Sequence, residues 1–514
     1  MKGMWVRMES NRSLKIYFTS DVHGYLFPTS YDTKEQKDMG LISCINNFKK
    51  DENTLIIDGG DSLQGSPLAY YCQKYEQEAY PMADVMNAAG YDFITLGNHD
   101  FNYGYEYLKG YLDKLDAVCL SENVKDELGQ LPICTSSIKV MGNGLKVGLV
   151  GVVTDYVNLW ERPENIKDIK VTDPFPKIKE AYEKMKNEAD ICICIYHGGF
   201  EEDLETGKKL SNTTENIGNR ICRELKFDLL LTGHQHMPLK GQLLNDTYIV
   251  QTPANALKFI EIEIQESKNG FEINSDLKEA GGTCDGALYY KLLPIETRVQ
   301  KWLDGPVGFL PHPLLPDSPL SMAVHGTQIA DFFNQVQLES SGAQISCTSL
   351  ANEVAGFKQE VTVRDVIATY RFPNILIVLE VTGAVLKQAL ERVAEYFDID
   401  SIGELCISDS FLKPKVEHYN YDFFSGICYN IDVNKPKGNR VESIHYQGKP
   451  IEMNDTFTLC MNNYRSSGAG GYEMYQGVKV VKEIQIEMPE LILQYFEKHP
   501  KVILQKNGEF HVKW

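Results

Sequence analysis

Residues 189–199 read ADICICIYHGG, an apolar run that ends in a histidine and two glycines. Runs of the same kind, each ending in polar or glycine residues, occur at residues 15–24 (KIYFTSDVHG), 54–61 (TLIIDGGD), 93–100 (FITLGNHD), 144–153 (GLKVGLVGVV), 228–236 (DLLLTGHQH) and 247–255 (TYIVQTPAN). Such runs are typical of fully buried parallel strands. Helical periodicity lies between them at 175–190 and at 212–225, where Asn212 and Thr213 are candidate caps. The pattern predicts an α/β layered domain with its functional site at the strand ends.

The chain divides into three parts. The strictly alternating stretch 259–266 (FIEIEIQE) predicts a half-exposed strand that completes a first domain of residues 1–283. Residues 284–304 predict a linker helix, interrupted or started at Pro294. After a proline-rich stretch at 306–319, a second, smaller α/β domain follows over 305–514, with helices within 325–338 and 382–397.

Charge and hydropathy restrict the function. The 51 basic and 71 acidic residues give a net charge of −20, which predicts no binding of a nucleic-acid polymer. No apolar segment of signal-peptide length precedes Arg12, and no apolar run approaches ~18 residues, so we expect a soluble, cytoplasmic protein without membrane contact. The predicted oligomeric state is a monomer or a weak dimer.

Twelve cysteines are spread through the chain without the close spacing of a disulfide framework. The one tight pair, Cys192 and Cys194, would share one face of a strand, so we interpret both as small core residues. All twelve are expected to be reduced.

Histidines indicate the chemistry. Asp21, Asp61 and Asn98 lie at the ends of strand-like runs. So do all five histidines of the first domain, which are His23, His99, His197, His234 and His236. At least eight nitrogen and oxygen donors therefore converge at one sheet edge. This mixture of imidazole, carboxylate and amide suits Zn, Mn or Fe better than Mg alone, and Asp61 is the natural bridge of a two-metal site.

Singly these motifs are weak, but their order, DxH, GD, GNH, H and GHxH, resembles that of the calcineurin-like metallophosphoesterases. With residues 371–383 (RFPNILIVLEVTG) and 462–472 (NNYRSSGAGGY), the chain from about Leu14 to Glu490 resembles the 5′-nucleotidase and 2′,3′-cyclic-nucleotide phosphodiesterase family. The resemblance implies a four-layer α/β/β/α catalytic domain in residues 1–283, a linker helix, and an α/β nucleotide-binding domain in residues 305–514.

It also implies two divalent ions, with Zn or Mn expected first and Fe or Co next. The first ion would be held by Asp21, His23, Asp61 and His236, and the second by Asp61, Asn98, His197 and His234. A metal-bound hydroxide would attack phosphorus in line, while His99 would stabilise developing charge or protonate the leaving oxygen.

In the second domain, the resemblance implies that Tyr421 and Tyr464 clamp the nucleobase, since aromatic stacking tolerates any base. Asn462 and Asn463 would hydrogen-bond the base, although capping of a strand edge explains them equally well.

Three departures from the 5′-nucleotidase pattern bear on the substrate. Asn102 stands where an Asp usually supports the catalytic His, residues 348–356 (TSLANEVAG) stand where a Gly-Gly-x-Arg turn is expected, and Gly470 replaces an acidic residue. Arg364 and Arg371 remain nearby and are interpreted as surface salt-bridge residues. The motif GNHDFNYG resembles the cyclic-phosphodiesterase and 3′-nucleotidase branch, so hydrolysis of 2′,3′-cyclic or 3′-nucleotides and of 5′-nucleotides both stay open.

Alternative functions are a nucleotide-sugar or dinucleotide pyrophosphatase, or a sulfur-ester hydrolase, on the same scaffold. A binding or scaffolding protein with a vestigial site is disfavoured by the complete ligand set. A nuclease acting on long strands is disfavoured by the charge.

Overall fold

The computed structural model describes residues 12–210, 214–268, 270–281, 286–372, 374–413 and 416–514. They form two compact units, one of the residues up to Ser30 with Lys34–Val299 and one of Tyr31–Thr33 with Gln300–Trp514. The N-terminal stretch 1–11 and the predicted boundary between residues 283 and 284 lie outside the described residues. The predicted linker helix is present as Ala287–Leu303 and continues through Pro294, contrary to the expected interruption. Because the division between the units falls inside this helix, the three-part division of the chain stays a prediction.

Two sheets form the centre of the first unit. The first has seven strands, in spatial order Gly270–Glu279, Lys258–Ser267, Ser13–Thr19, Thr54–Asp58, Phe93–Ile94, Val118–Leu120 and Ile133–Cys134. The second has six, in the order Leu239–Leu244, Thr247–Gln251, Leu229–Thr232, Ile191–His197, Lys146–Val153 and Ser137–Val140. Four neighbouring strands of the second sheet are parallel, as the apolar runs predict. A separate pair joins Val124–Asp126 to Ile169–Val171.

Alternation along Ile191–His197 explains how the layers pack. Ile191, Ile193 and Ile195 belong to the core between the two sheets, together with residues such as Phe18. Cys192 and Cys194 point to the opposite face and pack in the core with helices Pro174–Met185 and Gly218–Glu224. The prediction that these two cysteines are core residues is confirmed, and burial of each large apolar side chain contributes roughly 1.5–3 kcal/mol.

Helices cover the outer face of the seven-stranded sheet as well. They are Leu41–Ile45, Pro67–Tyr75, Pro81–Ala89 and Tyr105–Lys114. Tyr17 on that face stacks on Phe48, just after the first of these helices, with ring centroids 4.5 Å apart. The unit is therefore the four-layer α/β/β/α sandwich that the resemblance implies.

The helix predicted over 175–190 is confirmed as Pro174–Met185. It begins there because Asp173 caps it by accepting a hydrogen bond from the Phe175 N–H at 3.0 Å. The helix predicted over 212–225 is shorter and begins at Gly218. Its candidate caps Asn212 and Thr213 lie outside the described residues. The alternating stretch predicted as a half-exposed strand is the strand Lys258–Ser267.

The second unit is also α/β. A five-stranded sheet has the order Asp422–Ser425, Ile345–Ser349, Thr456–Asn462, Leu376–Thr382 and Val480–Ile484, and a four-stranded sheet has the order Lys449–Pro450, Val441–Tyr446, Cys428–Asp432 and Glu509–Lys513. Two short pairs join Pro306–Phe309 to Glu360–Thr362 and Phe397–Ile399 to Leu405–Ile407.

The helices of this unit are Pro319–His325, Gln328–Ser341, Val363–Thr369, Gly383–Ala394, the short Asn463–Ser466 and Met488–Lys498. Thr327 and Thr382 cap the two helices that the sequence predicts, because each side chain accepts a backbone N–H of the first turn. Within the ranges that the structure describes, no helix combines the length and apolar character that crossing a bilayer requires.

Candidate metal centre and active site

The predicted ligands come from the carboxyl ends of strands in both sheets. Asp21 and His23 follow Ser13–Thr19, Asp61 follows Thr54–Asp58, and Asn98 opens the short turn Asn98–Phe101 after Phe93–Ile94. From the second sheet, His197 ends Ile191–His197, and His234 and His236 follow Leu229–Thr232. The structure brings these seven side chains together in two groups.

Five of them have left-handed backbone conformations, which are uncommon for residues other than glycine. The φ angles are 56° at Asp21, 51° at His23, 57° at Asp61, 71° at His234 and 56° at His236. Each such conformation costs roughly 1–3 kcal/mol and persists only where the surroundings impose it. The strain turns each side chain back over the end of its strand toward a common point.

Glycines in the motifs permit close approach of two loops. A Cβ on Gly60, which has a φ of 95°, would lie 2.4 Å from the Gly97 nitrogen. A Cβ on Gly97 would lie 2.2 Å from Asp61 Oδ1. The GGD and GNH motifs therefore need these glycines so that the Asp61 carboxylate can pack against the loop that carries Asn98.

The first group consists of Asp21, His23 and His236, whose ligand atoms lie within 4.8 Å of one another. His23 Nδ1 must donate to the carbonyl oxygen of Gln64 at 2.9 Å, which leaves Nε2 with its lone pair. That atom faces His236 Nε2 at 3.2 Å, and His236 Nε2 lies 3.3 Å from Asp21 Oδ1. The arrangement presents nitrogen and carboxylate donors to one point, as a divalent ion requires.

The second group consists of Asp61, His197 and His234. His197 Nδ1 donates to the Gly59 carbonyl at 2.7 Å, so Nε2 is left facing Asp61 Oδ2 at 3.1 Å. Both of these facing atoms are buried, and neither makes a hydrogen bond within the described chain. Orphaned buried polar atoms of this kind fit a metal ion as their partner.

His234 adds a second facing pair. Its Nε2 lies 2.7 Å from the carboxylate oxygen Glu215 Oε1, an acceptor, so Nε2 carries the proton. Nδ1 then presents a lone pair to Asn98 Oδ1 at 2.8 Å, another acceptor. Both atoms can coordinate one divalent ion, which would satisfy this contact between two acceptors. The donor set therefore fits two divalent metal ions.

The pKa values of the side chains in the metal-free protein agree with a site for divalent ions. Burial lowers the pKa of His23 to about 4, so this side chain is a neutral ligand. Burial alone would raise the pKa of Asp21, but the hydrogen bond from His236 and the charge of His197 outweigh it and lower the pKa to about 2. Burial also opposes protonation of His197, yet the carboxylates of Asp61 and Asp21 raise its pKa to about 10. A proton on His197 thus balances negative charge that metal ions would otherwise neutralise.

His99 lies beside the first group, with its ring centroid 5.3 Å from that of His23. Its backbone N–H donates to Asp61 Oδ1 at 2.7 Å, which ties the two loops together. Its Nδ1 lies 2.7 Å from Asn102 Oδ1. The structure therefore places His99 and Asn102 together, next to the ligand groups.

Sequence reasoning missed four supporting side chains. Asp100 accepts backbone N–H groups of Gly97 and of residues 61–63 and thereby fixes the loop carrying Asp61. Its place in GNHD was a usable signal. Trp160 stacks on His234 with centroids 5.4 Å apart, Glu215 orients the same histidine, and Glu161 accepts a hydrogen bond from Asn102. No sequence motif marks these three, since they are distant in sequence from the groups they contact.

The second unit contains the predicted base-binding residues, and the structure buries one of the two tyrosines, Tyr421. Its side chain is 2% exposed, its hydroxyl donates to the Ala323 carbonyl at 2.8 Å, and the rings of Tyr396 and Phe423 lie within 4.9 Å of its own. A ring enclosed in this way is part of the core and has no face free for a base.

Tyr464 is 41% exposed and remains a candidate. The half-buried ring of Tyr419 has its centroid 6.5 Å from that of Tyr464 and 6.5 Å from that of Phe372. Asn462 caps the helix Asn463–Ser466 by accepting the Arg465 N–H at 2.7 Å, so the capping interpretation describes its side chain. Asn463 is exposed next to it.

Arg465 is the arginine of this region that sequence reasoning overlooked. It is 1% exposed, lies 2.7 Å from Asp422 Oδ2 and donates to the Tyr419 carbonyl at 3.0 Å. Arg364 instead pairs with Asp304 at 2.9 Å, as a structural salt bridge does, and Arg371 donates to the Ala368 carbonyl at 3.0 Å.

Comparison with known proteins gives a consistent result. Residues 14–238 match the family described as calcineurin-like phosphoesterase, and residues 306–477 match the 5′-nucleotidase C-terminal domain. The chain is 33% identical to a Staphylococcus aureus protein described as a 5′-nucleotidase and crystallised with α-ketoglutarate, covering 98% of this chain and 100% of that one with a TM-score of 0.74.

Two curated relatives are similar over most of this chain. A 2′,3′-cyclic-nucleotide 2′-phosphodiesterase/3′-nucleotidase from Haemophilus influenzae is 26% identical, over 90% of this chain and 81% of its own length. The trifunctional nucleotide phosphoesterase protein YfkN from Bacillus subtilis is 25% identical over 94% of this chain, which spans only 38% of that longer protein.

Proposed function

This chain belongs to the calcineurin-like phosphoesterases that carry a 5′-nucleotidase C-terminal domain, and on that premise we propose that it releases phosphate from nucleotides, using two bound divalent ions. The observation that carries the proposal is the convergence of two groups of nitrogen and carboxylate donors, within which the ligand atoms lie within 4.8 Å of one another and His197 Nε2 is buried without a hydrogen-bond partner in the described chain. Asp61, whose Oδ2 is buried without a hydrogen-bond partner in the described chain, is the proposed bridging ligand.

We assign the ions to the residues in the arrangement expected from the sequence. Asp21, His23, Asp61 and His236 would hold one ion, and Asp61, Asn98, His197 and His234 the other. When bound, such ions polarise the phosphoryl group and lower the pKa of a coordinated water. Zn and Mn are the proposed metals.

His99 is the proposed acid that protonates the leaving oxygen or stabilises its charge. Its Nδ1 is engaged by Asn102 Oδ1 at 2.7 Å, so its Nε2 is the nitrogen left for the substrate. Because the His99 N–H is tied to Asp61 Oδ1, the ring keeps a fixed relation to the ligand groups.

The base would bind in the second unit. We propose Tyr464 and, in place of Tyr421, Tyr419 as the stacking rings, since both are accessible and adjacent. The Arg465 and Asp422 pair supports Tyr419 through its backbone carbonyl, which keeps that ring in position.

Two observations favour 2′,3′-cyclic and 3′-nucleotides over 5′-nucleotides. Asn102 replaces the Asp of 5′-nucleotidases, and Gly470 replaces their acidic residue. A Cβ on Gly470, which has a φ of 74°, would lie 2.2 Å from Asn420 Oδ1 and 2.4 Å from Arg465 Nη1. In this chain an acidic side chain at position 470 would therefore collide with Asn420 and Arg465.

A substrate panel tests the function. The purified protein, loaded with Mn or Zn, is assayed with 2′,3′-cyclic, 3′- and 5′-nucleotides and with nucleotide sugars. The largest kcat/KM is expected for a cyclic or 3′-nucleotide. Turnover confined to nucleotide sugars would support the pyrophosphatase alternative, and no turnover with any of them would overturn the proposal.

We propose for the location and the oligomeric state what the sequence predicts. A cytoplasmic place is supported by the free state of all eleven cysteines in the described ranges, since disulfides persist mainly in oxidising compartments. We propose that the protein is a monomer or a weak dimer, and sedimentation in the analytical ultracentrifuge measures this oligomeric state.

A further inference from the structure

We propose that Glu161 is a positioning residue for His99, and that it acts through the side-chain amide of Asn102. The 5′-nucleotidase pattern places an Asp directly beside this histidine, whereas this chain would supply the negative charge from one residue further away. The inference rests on the proposed function, since it assigns His99 the role given above.

The amide of Asn102 is the first step. An Asn side chain can present either its oxygen or its NH₂ group to a histidine, and the two orientations have opposite consequences. Here Asn102 Nδ2 donates to Glu161 Oε2, and a carboxylate only accepts hydrogen bonds. Glu161 therefore fixes the amide with Oδ1 toward His99 Nδ1, at 2.7 Å.

The consequence for His99 is a defined tautomer. Because Asn102 Oδ1 is an acceptor, His99 Nδ1 must carry a proton, and Nε2 is the nitrogen that exchanges a proton with a substrate. If the amide were reversed, its NH₂ group would donate to Nδ1, and Nε2 would carry the proton even in the neutral ring. The orientation set by Glu161 thus decides which nitrogen reacts.

Glu161 is itself held in place. It is 8% exposed, and its other oxygen, Oε1, accepts the Arg162 N–H at 2.7 Å and Asn165 Nδ2 at 2.9 Å. Asn165 Nδ2 also donates to the Asn102 carbonyl at 2.8 Å, so the same group ties both residues. Both of these partners are neutral N–H donors. Its charge is free to polarise Asn102 toward His99.

Geometry also explains why a carboxylate is needed at 161. In Glu161→Gln, the amide oxygen can face either Asn102 Nδ2 or the two donors on the other side, but not both. The NH₂ group of the new glutamine would then face another N–H donor on one of the two sides, and the Asn102 amide would lose its fixed orientation. In Asn102→Asp/Glu161→Gln the charge moves to position 102, where it faces His99 directly, and every donor again has an acceptor.

The experiment compares the wild type with Glu161→Gln, Asn102→Asp and the double variant, each loaded with Mn. Glu164→Gln, at an exposed position of the same loop, is the matched control. We measure kcat and KM for a 2′,3′-cyclic nucleotide, bound Mn by elemental analysis, and the Tm. We expect kcat to fall on the order of tenfold in Glu161→Gln with KM and metal content unchanged, and to return to within about threefold of wild type in the double variant.

Wild-type kcat in Glu161→Gln would overturn the inference, as would a double variant no better than Glu161→Gln. A fall in bound Mn or Tm that accounts for the lost activity would also overturn it, since Glu161 would then be structural. Crystal structures of the wild type and Glu161→Gln give a readout independent of substrate. If the His99 ring and the Asn102 amide were unchanged in Glu161→Gln, the positioning role would be refuted, whatever the activity. If the wild type hydrolysed no nucleotide, the proposed function would be refuted instead.

Discussion

The metal centre of the first unit and the aromatic pocket of the second were both predicted from short motifs, yet the structure treats them differently. The seven predicted ligands lie together in two groups, and five of them have a left-handed backbone. In the aromatic pocket, one predicted tyrosine is accessible and the other is enclosed in the core. A polar ligand at a strand end has few structural uses, whereas a tyrosine serves a core as readily as a binding site.

The largest effect is expected at the centre of the metal site. Asp61→Asn keeps an oxygen for the His99 N–H but removes the charge facing His197, so turnover should fall on the order of 10³-fold with loss of bound metal. Activity and metal content are measured together, with the exposed Asp116→Asn as control. Full activity with two ions per chain would show that convergence of polar residues alone does not identify a metal site.

The second prediction concerns pH. The neighbouring carboxylates outweigh the effect of burial and raise the pKa of His197 to about 10, above the ordinary value of 6.5. Metal binding must displace this proton, so the Mn affinity of the metal-free protein should rise about tenfold per pH unit between pH 6.5 and 8.5. The linked stability has the opposite sign, because the raised pKa stabilises the metal-free fold fully below pH 6.5 and less as the pH rises toward 10.

Calorimetric titration with Mn at three pH values measures the affinity. The slope should be reduced in His197→Asn, which has no proton to release at this position. A pH-independent affinity in the wild type would contradict the electrostatic description of the site.

The third prediction sharpens the aromatic side of the comparison. Tyr464→Ala removes an exposed ring, so we expect KM for nucleotides to rise about tenfold, equivalent to roughly 1–3 kcal/mol of stacking, with the Tm nearly unchanged. Tyr290→Ala, which removes a ring that is 60% exposed in the other unit, is the control. An unchanged KM would exclude Tyr464 from the base site.

The smallest effect is expected at Tyr421. Tyr421→Phe deletes only the hydroxyl that donates to the Ala323 carbonyl, which should cost about 1 kcal/mol and lower the Tm by about 2–4 °C. KM should stay at the wild-type value, as thermal melts and kinetics on the same preparation would show. A raised KM would return Tyr421 to the binding site and remove the contrast between the two regions.

The predictable part of this protein is the part in which side-chain chemistry and secondary structure coincide. Apolar runs ending in His, Asp and Gly gave the strands, their parallel order and the ligand edge. The orientation of those ligands was beyond the sequence, because it depends on partners distant along the chain, such as Glu215 for His234. The burial of Tyr421 was beyond the sequence for a different reason. The motif YNYD contains two tyrosines, and the structure places Tyr419 in the 3-10 turn His418–Asn420, whereas Tyr421 follows that turn and packs against Tyr396 and Phe423.

Two ligands of the metal centre take their orientation from main-chain atoms, His23 from the Gln64 carbonyl and His197 from the Gly59 carbonyl. A carbonyl oxygen is the same in every amino acid, so the residue at position 64 can vary in evolution without changing the protonation pattern of His23. His234 and His99 depend instead on the side chains of Glu215 and Asn102, which a single nucleotide change can replace. Sequence drift therefore acts unevenly on this centre, and new specificities are expected to arise first around His99 and His234.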